Sequence, residues 1–291
     1  MDKLNPLVDF AFKKLFGVEE NKDLLISLIN AVVSEKDQII DLEIKNPYNA
    51  KTFKDDKLSI LDIKAQGTNK KWYNIEMQII DQQYYDARAL YYWSKVYTTQ
   101  LASGINYDNL QKTISINFLN FDCLNEEHYH NVYKLKNIKT NREYPADHLE
   151  LHFIELKKYH ETFSTMLDKW ASFLKKAQEY SSQHLPRELQ IPTIQKAVEA
   201  LEHMYLNEDE RESYEARLKW LRDEEMAIKK ALSDGIELGK VEGKAEGLEI
   251  GKAEGEYNKA ILIAKRLKAN GTTTTQIASI TELTIDEIDR L

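Results

Sequence analysis

The sequence has little of three features that would each assign it to a familiar class. It contains a single cysteine, Cys123, which excludes an internal disulfide and favours a reducing compartment. It contains no apolar run long enough to span a bilayer, and its first residues lack the apolar stretch of a signal peptide. We therefore expect a cytoplasmic protein with no membrane segment.

An excess of positive charge is also absent, because 48 acidic residues outnumber 40 lysines and arginines. The formal net charge is -8 at pH 7, so the surface as a whole lacks the positive potential typical of nucleic-acid-binding proteins. A local basic groove can coexist with acidic segments, so any activity on DNA must be argued from a site rather than from overall charge. The histidines are scattered, and we expect surface or packing roles for them rather than metal binding.

What is present is a chain of 291 residues, 42% of them hydrophobic, long enough to bury a sizeable core. Its first half shows helical and strand periodicities in the order α-β-β-β-α-β, which predicts a mixed α/β core. The predicted elements are a helical segment at 7–33 interrupted at Gly17, strands at 38–46, 57–66 and 71–80, a helix at 84–103 ended by Gly104, a strand at 112–119, and further strands at 131–137 and 149–156.

Helical periodicity replaces strand periodicity after about residue 160. We therefore predict a core at 1–160 and a helical region at 161–232. The next segment, 233–256, carries glycine at every fourth position, which fits either close packing against another helix, as in a dimer, or a partly ordered connector. The last segment, 257–291, is predicted to be a small helix-turn-helix-like module, in which Thr273-x-x-Gln276 and Thr284-x-x-Glu287 each fit a capping box at the start of a short helix. Its pattern fits self-association as well as DNA binding.

Two carboxylates and an amide interrupt the strongly β-forming segment 58–80, LSILDIKAQGTNKKWYNIEMQII. If Asp62 lies opposite Glu76 in a hairpin, residues 68–70 form a three-residue loop, which is a common hairpin type. Asp62, Glu76 and Gln78 then share one polar face, and the apolar residues between them face the core.

Two carboxylates held side by side repel each other unless a cation lies between them. A hard divalent cation such as Mg²⁺, or Mn²⁺ in its place, binds carboxylate oxygens and stabilises charge on a phosphodiester oxygen. Gln78 is on the same face and can orient a water, and Lys64 can supply positive charge. The alternative is that Asp62 and Glu76 pair with Lys64 and face solvent at a sheet margin.

The element order, with an aspartate on one central strand and Glu-x-Gln on the next, resembles the PD-(D/E)XK nuclease superfamily. More specifically, the chain resembles the Rpn family of recombination-promoting nucleases, often labelled transposases. The matching segments are DFAFKKLFG at 9–17, LDIKA at 61–65, YNIEMQ at 73–78, RALYYWSKVYTTQLASGINY at 88–107 and KTISINFLNF at 112–121. The resemblance implies a restriction-endonuclease-like core followed by an α-helical C-terminal region.

The resemblance also implies roles for individual residues. Asp62 and Glu76 would bind the metal ion, and Asp9 in the first helix would complete its shell. Gln78 takes the lysine position of the superfamily, which leaves the general base unidentified. Leu61 takes the position of the superfamily's proline, which has no chemical role.

The activity that the resemblance implies is Mg²⁺-dependent cleavage of DNA phosphodiesters, with Arg88 or Lys64 contacting the scissile phosphate. DNA recombination or mobile elements would be its setting, and the C-terminal helices would join copies into a dimer. Two alternatives belong to other classes. One is a nuclease-like core that binds DNA or assembles without cutting. The other is a regulatory interaction module that uses the glycine-rich helix.

Overall fold

The computed structural model describes residues 3–46, 48–49, 59–60, 62–81, 83–101, 104 and 106–291. It divides into two compact units, Met1–Glu224 and Glu225–Leu291. Positions 57, 58 and 61 of the predicted strand at 57–66, including the position of the superfamily's proline, lie outside the described residues. The predicted boundary near residue 160 falls inside the first unit, and the separate roles assigned to either side of it stay a prediction.

The first unit combines helices with one main sheet. Its helices are α1 (Asp9–Phe16), α2 (Lys22–Val32), α3 (Tyr85–Thr98), α4 (Met166–Lys176) and α5 (Pro192–His203), and α6 (Glu208–Ala269) begins in this unit. Its strands are β1 (Leu42–Lys45), β2 (Tyr48–Asn49), β3 (Ser59–Ile60), β4 (Ile63–Gly67), β5 (Trp72–Gln78), β6 (Thr113–Leu119), β7 (His130–Lys134) and β8 (Leu149–Glu155). Gly17 ends α1, as its position in the sequence predicts.

Six strands form a mixed sheet in the order β1-β4-β5-β6-β8-β7, and β2 pairs with β3 separately. β4 is antiparallel to both of its neighbours, β1 and β5. β5, β6 and β8 run parallel to one another, and β7 is antiparallel to β8. A mixed sheet with helices, followed by a helical region, confirms the predicted fold class. β5 is a central strand with paired strands on both sides, so its side chains lie away from both edges of the sheet.

The two sides of β5 differ in polarity because its residues alternate between them. Ile75 and Met77 belong to one buried cluster with Phe12 of α1, Leu25 of α2 and Trp170 of α4. Burying these large apolar side chains supplies most of the favourable free energy of folding. The opposite side of β5 carries the polar residues that the alternation predicts.

Helix α3 packs against the polar side of β5 and β6. Tyr85 and Ala89 of this helix are buried with Phe121 and Phe153. The Tyr85 hydroxyl donates a hydrogen bond to Asn117 Oδ1 on β6 at 3.0 Å. Helix α3 therefore covers the polar side of the sheet through this apolar cluster and through the hydrogen bond from Tyr85.

The end of α3 differs from the prediction, because the helix stops at Thr98 and not at Gly104. The Thr98 hydroxyl donates to the Lys95 carbonyl at 3.2 Å, and the Thr99 hydroxyl donates to the Val96 carbonyl at 2.9 Å. Hydroxyls that bond to the preceding turn, on β-branched residues, weaken helix continuation. Gly104 has φ 86° in the following loop, where the left-handed conformation favours glycine.

In the second unit, α6 remains helical through the whole glycine repeat at 235–255. Apart from the adjacent residues and the nearby backbone of α6 itself, no described atom lies within 4 Å of a Cβ placed on any of these glycines. The glycine stripe is therefore open within this chain. Nor does any helix among the described residues combine the length and hydrophobicity needed to cross a membrane.

Two short helices, α7 (Thr274–Thr281) and α8 (Ile285–Asp289), follow α6. Both begin with the capping boxes that the sequence predicts, at Thr273 and at Thr284. Ile277, Leu283 and Ile288 form a buried cluster with Ala264 of α6. This cluster gives the second unit a small core of its own.

Candidate active site

The hairpin of β4 and β5 places Asp62 beside Glu76. The observed register pairs Ile63 with Ile75, and one step further it sets Asp62 opposite Glu76. Residues 68–70 form the predicted three-residue loop, and the last of them has φ 64°, the left-handed conformation typical of such loops. The predicted register of the hairpin is confirmed.

Both carboxylates are nearly inaccessible to solvent. Asp62 is 8% exposed and Glu76 is 1% exposed. Asp62 Oδ2 accepts a hydrogen bond from the Met77 backbone N–H at 2.8 Å, which fixes this carboxylate against the neighbouring strand. Glu76 Oε1 has no hydrogen-bond partner among the described residues. A buried carboxylate oxygen without a partner destabilises the folded protein, so Glu76 is kept at a cost in stability.

The environment of the two carboxylates disfavours their charged forms. Burial raises the pKa of Asp62 above its ordinary value. Burial, and then the negative charge of Asp62, raise the pKa of Glu76 well above its ordinary value, while the positive charges of Arg88 and Lys13 oppose this rise. A further cation next to the pair would favour the charged form of both carboxylates.

Lys13 of α1 contacts Asp62, one of these two carboxylates. Its Nζ lies 3.0 Å from Asp62 Oδ1. Burial lowers the pKa of Lys13, but the charge of Asp62 and the hydrogen bond to it outweigh burial, so the pKa is raised and the lysine stays charged. The sequence-based site prediction misses Lys13, although it follows Asp9 by four residues and so lies on the same helix face.

Asp9 is paired with an arginine from α6. Its Oδ1 accepts a hydrogen bond from the Arg217 Nε–H at 3.1 Å, and the Arg217 guanidinium lies 4.3 Å from the Trp220 ring centroid. Asp9, Gln78, Arg217 and Trp220 line one cavity of about 10 Å³, roughly the space of a single water. The first part of α6 therefore covers the end of β5 that carries Gln78.

Lys64 and Arg88 are the residues predicted to contact phosphate. Arg88 belongs to α3, and Lys64 contacts the residue that follows this helix. Lys64 Nζ lies 3.4 Å from Thr99 Oγ1 and 5.2 Å from the Trp72 ring centroid. Burial lowers the pKa of Lys64. Arg88 donates from Nε to the Tyr92 hydroxyl at 2.9 Å.

Asn74 is a second residue that the site prediction misses. It lies two residues before Glu76 on the same side of β5 and is completely buried. Within the described ranges of the chain, neither polar atom of its side chain has a hydrogen-bond partner. The sequence does contain a signal for Asn74, because strand alternation places it on the same predicted polar face as Glu76. Unpartnered polar atoms at Asn74 and Glu76, which are neighbours on one side of β5, are unusual in a folded protein. This side of β5 is therefore the candidate site.

The structure contradicts the alternative of a solvent-facing pair at a sheet margin, because Asp62 and Glu76 are buried and β5 is central. It brings these two residues together, while Asp9 contacts Arg217. In the part of the chain that the structure describes, no group of three or more acidic, histidine or cysteine side chains is arranged to hold a metal ion. The role of Asp9 as a third metal ligand stays a prediction.

A family model described as PD-(D/E)XK nuclease family transposase matches residues 6–231. The chain belongs to this family. The matched range contains the whole main sheet and every predicted site residue, and it confirms the resemblance at the level of the superfamily. Membership of the Rpn family stays a prediction. No curated protein and no solved structure matches the chain.

Nucleases of the PD-(D/E)XK family act on DNA and generally use divalent metal ions. The residues of this chain fit such an ion, because Glu76 presents a buried oxygen without a partner and Asp62 adds a second carboxylate. Hard divalent cations prefer carboxylate oxygens over nitrogen or sulfur ligands. The assignment of Gln78, a neutral amide, to the lysine position of the family stays a prediction.

Proposed function

We propose that this chain is an Mg²⁺-dependent DNA endonuclease that hydrolyses phosphodiester bonds during DNA recombination or the movement of mobile elements. The observation that supports this most directly is the unpartnered, buried Glu76 Oε1 beside Asp62. Such an oxygen is costly in the folded chain, and a bound cation would offset the cost. Mn²⁺ would serve in place of Mg²⁺, because both ions bind carboxylate oxygens.

Each residue of the hairpin has a role in this proposal. Asp62 and Glu76 hold the ion, and Asp9 is its third carboxylate. When bound, such an ion lowers the pKa of water and stabilises negative charge on a phosphate oxygen. Gln78 orients the attacking water through its amide group, since it lies on the same side of β5 as Glu76.

Positive charge for the scissile phosphate would come from Arg88 or Lys64. The charge of Arg88 already opposes the rise in the pKa of Glu76, so it acts at the site in the present arrangement. Lys64 is more deeply buried, with 7% of its surface exposed. Arg88 is therefore the stronger candidate of the two.

The test is cleavage of supercoiled plasmid by the full chain with Mg²⁺ or Mn²⁺. We expect wild type to nick the plasmid, and we expect Glu76→Gln to lower the rate about 10³-fold, since it removes a charge that acts on the transition state. Glu43→Gln is the matched control, because Glu43 is an exposed residue of β1 in the same sheet.

EDTA should abolish cleavage by wild type and by Glu43→Gln alike. Equal rates for Glu76→Gln and Glu43→Gln would contradict the proposed site. Wild type that binds DNA but never cuts it would instead favour the alternative of an inactive nuclease core.

We also propose that the second unit joins copies of the chain into a dimer. Leu238, Val241 and Leu248 are exposed on α6 at spacings of three and seven residues, which fit the heptad repeat of paired helices. The short helix α8 carries three carboxylates in IDEID, which would repel DNA phosphates. These features favour contact with protein over contact with DNA.

Light scattering of the full chain after size exclusion tests this assembly. Leu238→Lys and Leu248→Lys together should convert the dimer to a monomer, because charge would be buried between the helices. The control is Lys240→Gln, which leaves the apolar side chains in place. A monomeric wild-type chain would contradict the proposal.

A further inference from the structure

The contact between Lys13 and Asp62 joins an accessible cation to a buried anion. Lys13 Nζ lies 3.0 Å from Asp62 Oδ1, and the side chains are 36% and 7% exposed respectively. The ammonium group therefore reaches the carboxylate from the solvent side. The charges of Asp9 and Glu76 also act on Lys13, so it lies within the field of all three predicted metal ligands.

The apolar face of α1 fixes the helix at this position. Phe12, Leu15 and Phe16 of this helix are completely buried in the main core. The four methylene groups of a lysine give its ammonium group a reach of several ångströms from a fixed backbone. The ammonium group of Lys13 can therefore change position while the helix stays in place.

An ammonium group and a divalent cation cannot both occupy the same carboxylate at short range without repelling each other. A metal ion held by Asp62 and Glu76 would therefore weaken the Lys13–Asp62 contact. The displaced ammonium group would remain on the solvent side of Asp62, from which a DNA phosphate must approach. Lysine ammonium groups bind phosphate as compact point charges.

We propose, building on the proposed nuclease function, that Lys13 is the exchangeable cation of this site. It neutralises Asp62 before a metal ion binds, and it contacts the scissile phosphate once the metal ion has replaced it. It stays an ammonium group throughout and makes or breaks no covalent bond. It thereby supplies the positive charge that Gln78, a neutral amide in the lysine position of β5, does not.

The neighbouring lysine provides a matched control. Lys14 follows Lys13 in α1 and also makes an ion pair, with its Nζ 2.5 Å from Glu210 Oε1. Its partner belongs to α6 and is not a predicted metal ligand. Substitutions at Lys13 and Lys14 thus remove the same charge from the same helix, but only one of them touches the site.

The first measurement is Mg²⁺ and Mn²⁺ affinity of the full chain without DNA, by calorimetry. Lys13→Gln should bind the metal about fivefold more tightly than wild type, because the ion no longer competes with an ammonium group. Lys14→Gln should bind it as wild type does. Equal affinities for wild type and Lys13→Gln would overturn the exchange.

The second measurement is plasmid cleavage at saturating metal. Lys13→Gln should cut about 10²-fold more slowly than wild type, Lys13→Arg should retain most of the rate, and Lys14→Gln should be unchanged. Adding Gln78→Lys to Lys13→Gln should restore part of the rate, because it places a lysine on β5 beside the same carboxylates.

Cleavage by Lys13→Gln at the wild-type rate would overturn the phosphate contact while leaving the nuclease proposal intact. Wild type that binds metal and DNA without cutting would overturn the nuclease proposal and the phosphate contact together. The affinity comparison of Lys13→Gln with Lys14→Gln decides the exchange in either case. Circular dichroism verifies that each variant is folded, and Lys13→Arg retains the charge if removal of the side chain impairs folding.

Discussion

Two groups of buried carboxylates differ in how their charge is neutralised. One is the candidate site with Asp62 and Glu76. The other is a network around Asp37, which precedes β1, and Glu150 of β8. Lys112, next to β6, joins these two acids, with Nζ 2.9 Å from Asp37 Oδ2 and 2.6 Å from Glu150 Oε2, and it also lies 3.2 Å from Asp147 Oδ2.

The network surrounds each acid with donors. Asp37 also accepts a hydrogen bond from Lys71 at 2.7 Å. Glu150 lies 2.9 Å from Lys134 Nζ and 2.7 Å from His152 Nε2. Burial alone would raise the pKa of both acids, but these donors outweigh it, and the pKa of each is lowered.

The comparison shows that cationic donors outweigh the effect of burial on the pKa in the network and do not outweigh it at the candidate site. The network is neutralised by the chain itself, which is what a structural ion cluster requires. At the candidate site, Glu76 Oε1 has no hydrogen-bond partner among the described residues, and an external cation can neutralise this carboxylate. Neutralisation by the chain's own cations therefore distinguishes the network from the candidate site.

The largest expected effect on stability comes from making the same substitution in both places. Glu150→Gln should lower the free energy of unfolding by about 3–5 kcal/mol, because it leaves buried cations without their acid. Glu76→Gln should preserve or raise it in metal-free buffer, because it removes a buried charge that lacks a full set of partners. Urea unfolding followed by circular dichroism measures both. If the two substitutions cost the same, the contrast between the regions is wrong.

A metal ion should distinguish the regions by a somewhat smaller amount. Mg²⁺ at about 100 times its dissociation constant should stabilise the folded chain by about 2.7 kcal/mol. Asp62→Asn should abolish this gain, and Lys71→Gln in the network should not. Thermal melts with and without Mg²⁺ give the comparison, and a gain that survives Asp62→Asn would place the ion elsewhere.

The smallest expected effect is a pH dependence that belongs to the network. Burial, and then the charge of His152, lower the pKa of His130 to about 4. Between about pH 6.5, the ordinary value for histidine, and about pH 4, the unfolded chain binds more protons at this residue than the folded chain does. Stability contributed by neutral His130 should therefore be lost as the pH falls through this window.

His130→Asn should flatten that part of the stability curve, measured as the free energy of unfolding against pH without metal. His160→Asn, at an exposed position, is the control and should leave the curve unchanged. A curve that His130→Asn does not alter would place the acid sensitivity outside the network.

The hairpin could be predicted from the sequence because its determinants are local. Alternation of apolar and polar residues assigns each side chain of β4 and β5 to a face, and a three-residue loop sets the register. These local determinants therefore suffice to place Asp62, Glu76 and Gln78 on one side of the sheet. The observed pairing of Ile63 with Ile75 agrees with this register.

The contacts around the hairpin could not be predicted in this way, because they depend on how distant helices pack. Lys13 reaches Asp62 only because α1 lies against the sheet, and Arg217 reaches Asp9 across 208 positions of sequence. No local periodicity encodes either distance. The capping residues, in contrast, act over three positions, and both predicted capping boxes are present.

The division of the chain into two units also separates its chromophores. All four tryptophans, Trp72, Trp93, Trp170 and Trp220, belong to the first unit, and Tyr257 is the sole aromatic residue in the sequence of the second. Indole fluorescence will therefore report on the first unit alone, while far-ultraviolet ellipticity will report on the helices of both. A gap between the two signals on heating would show that the units melt separately, and superimposed signals would show that they melt together.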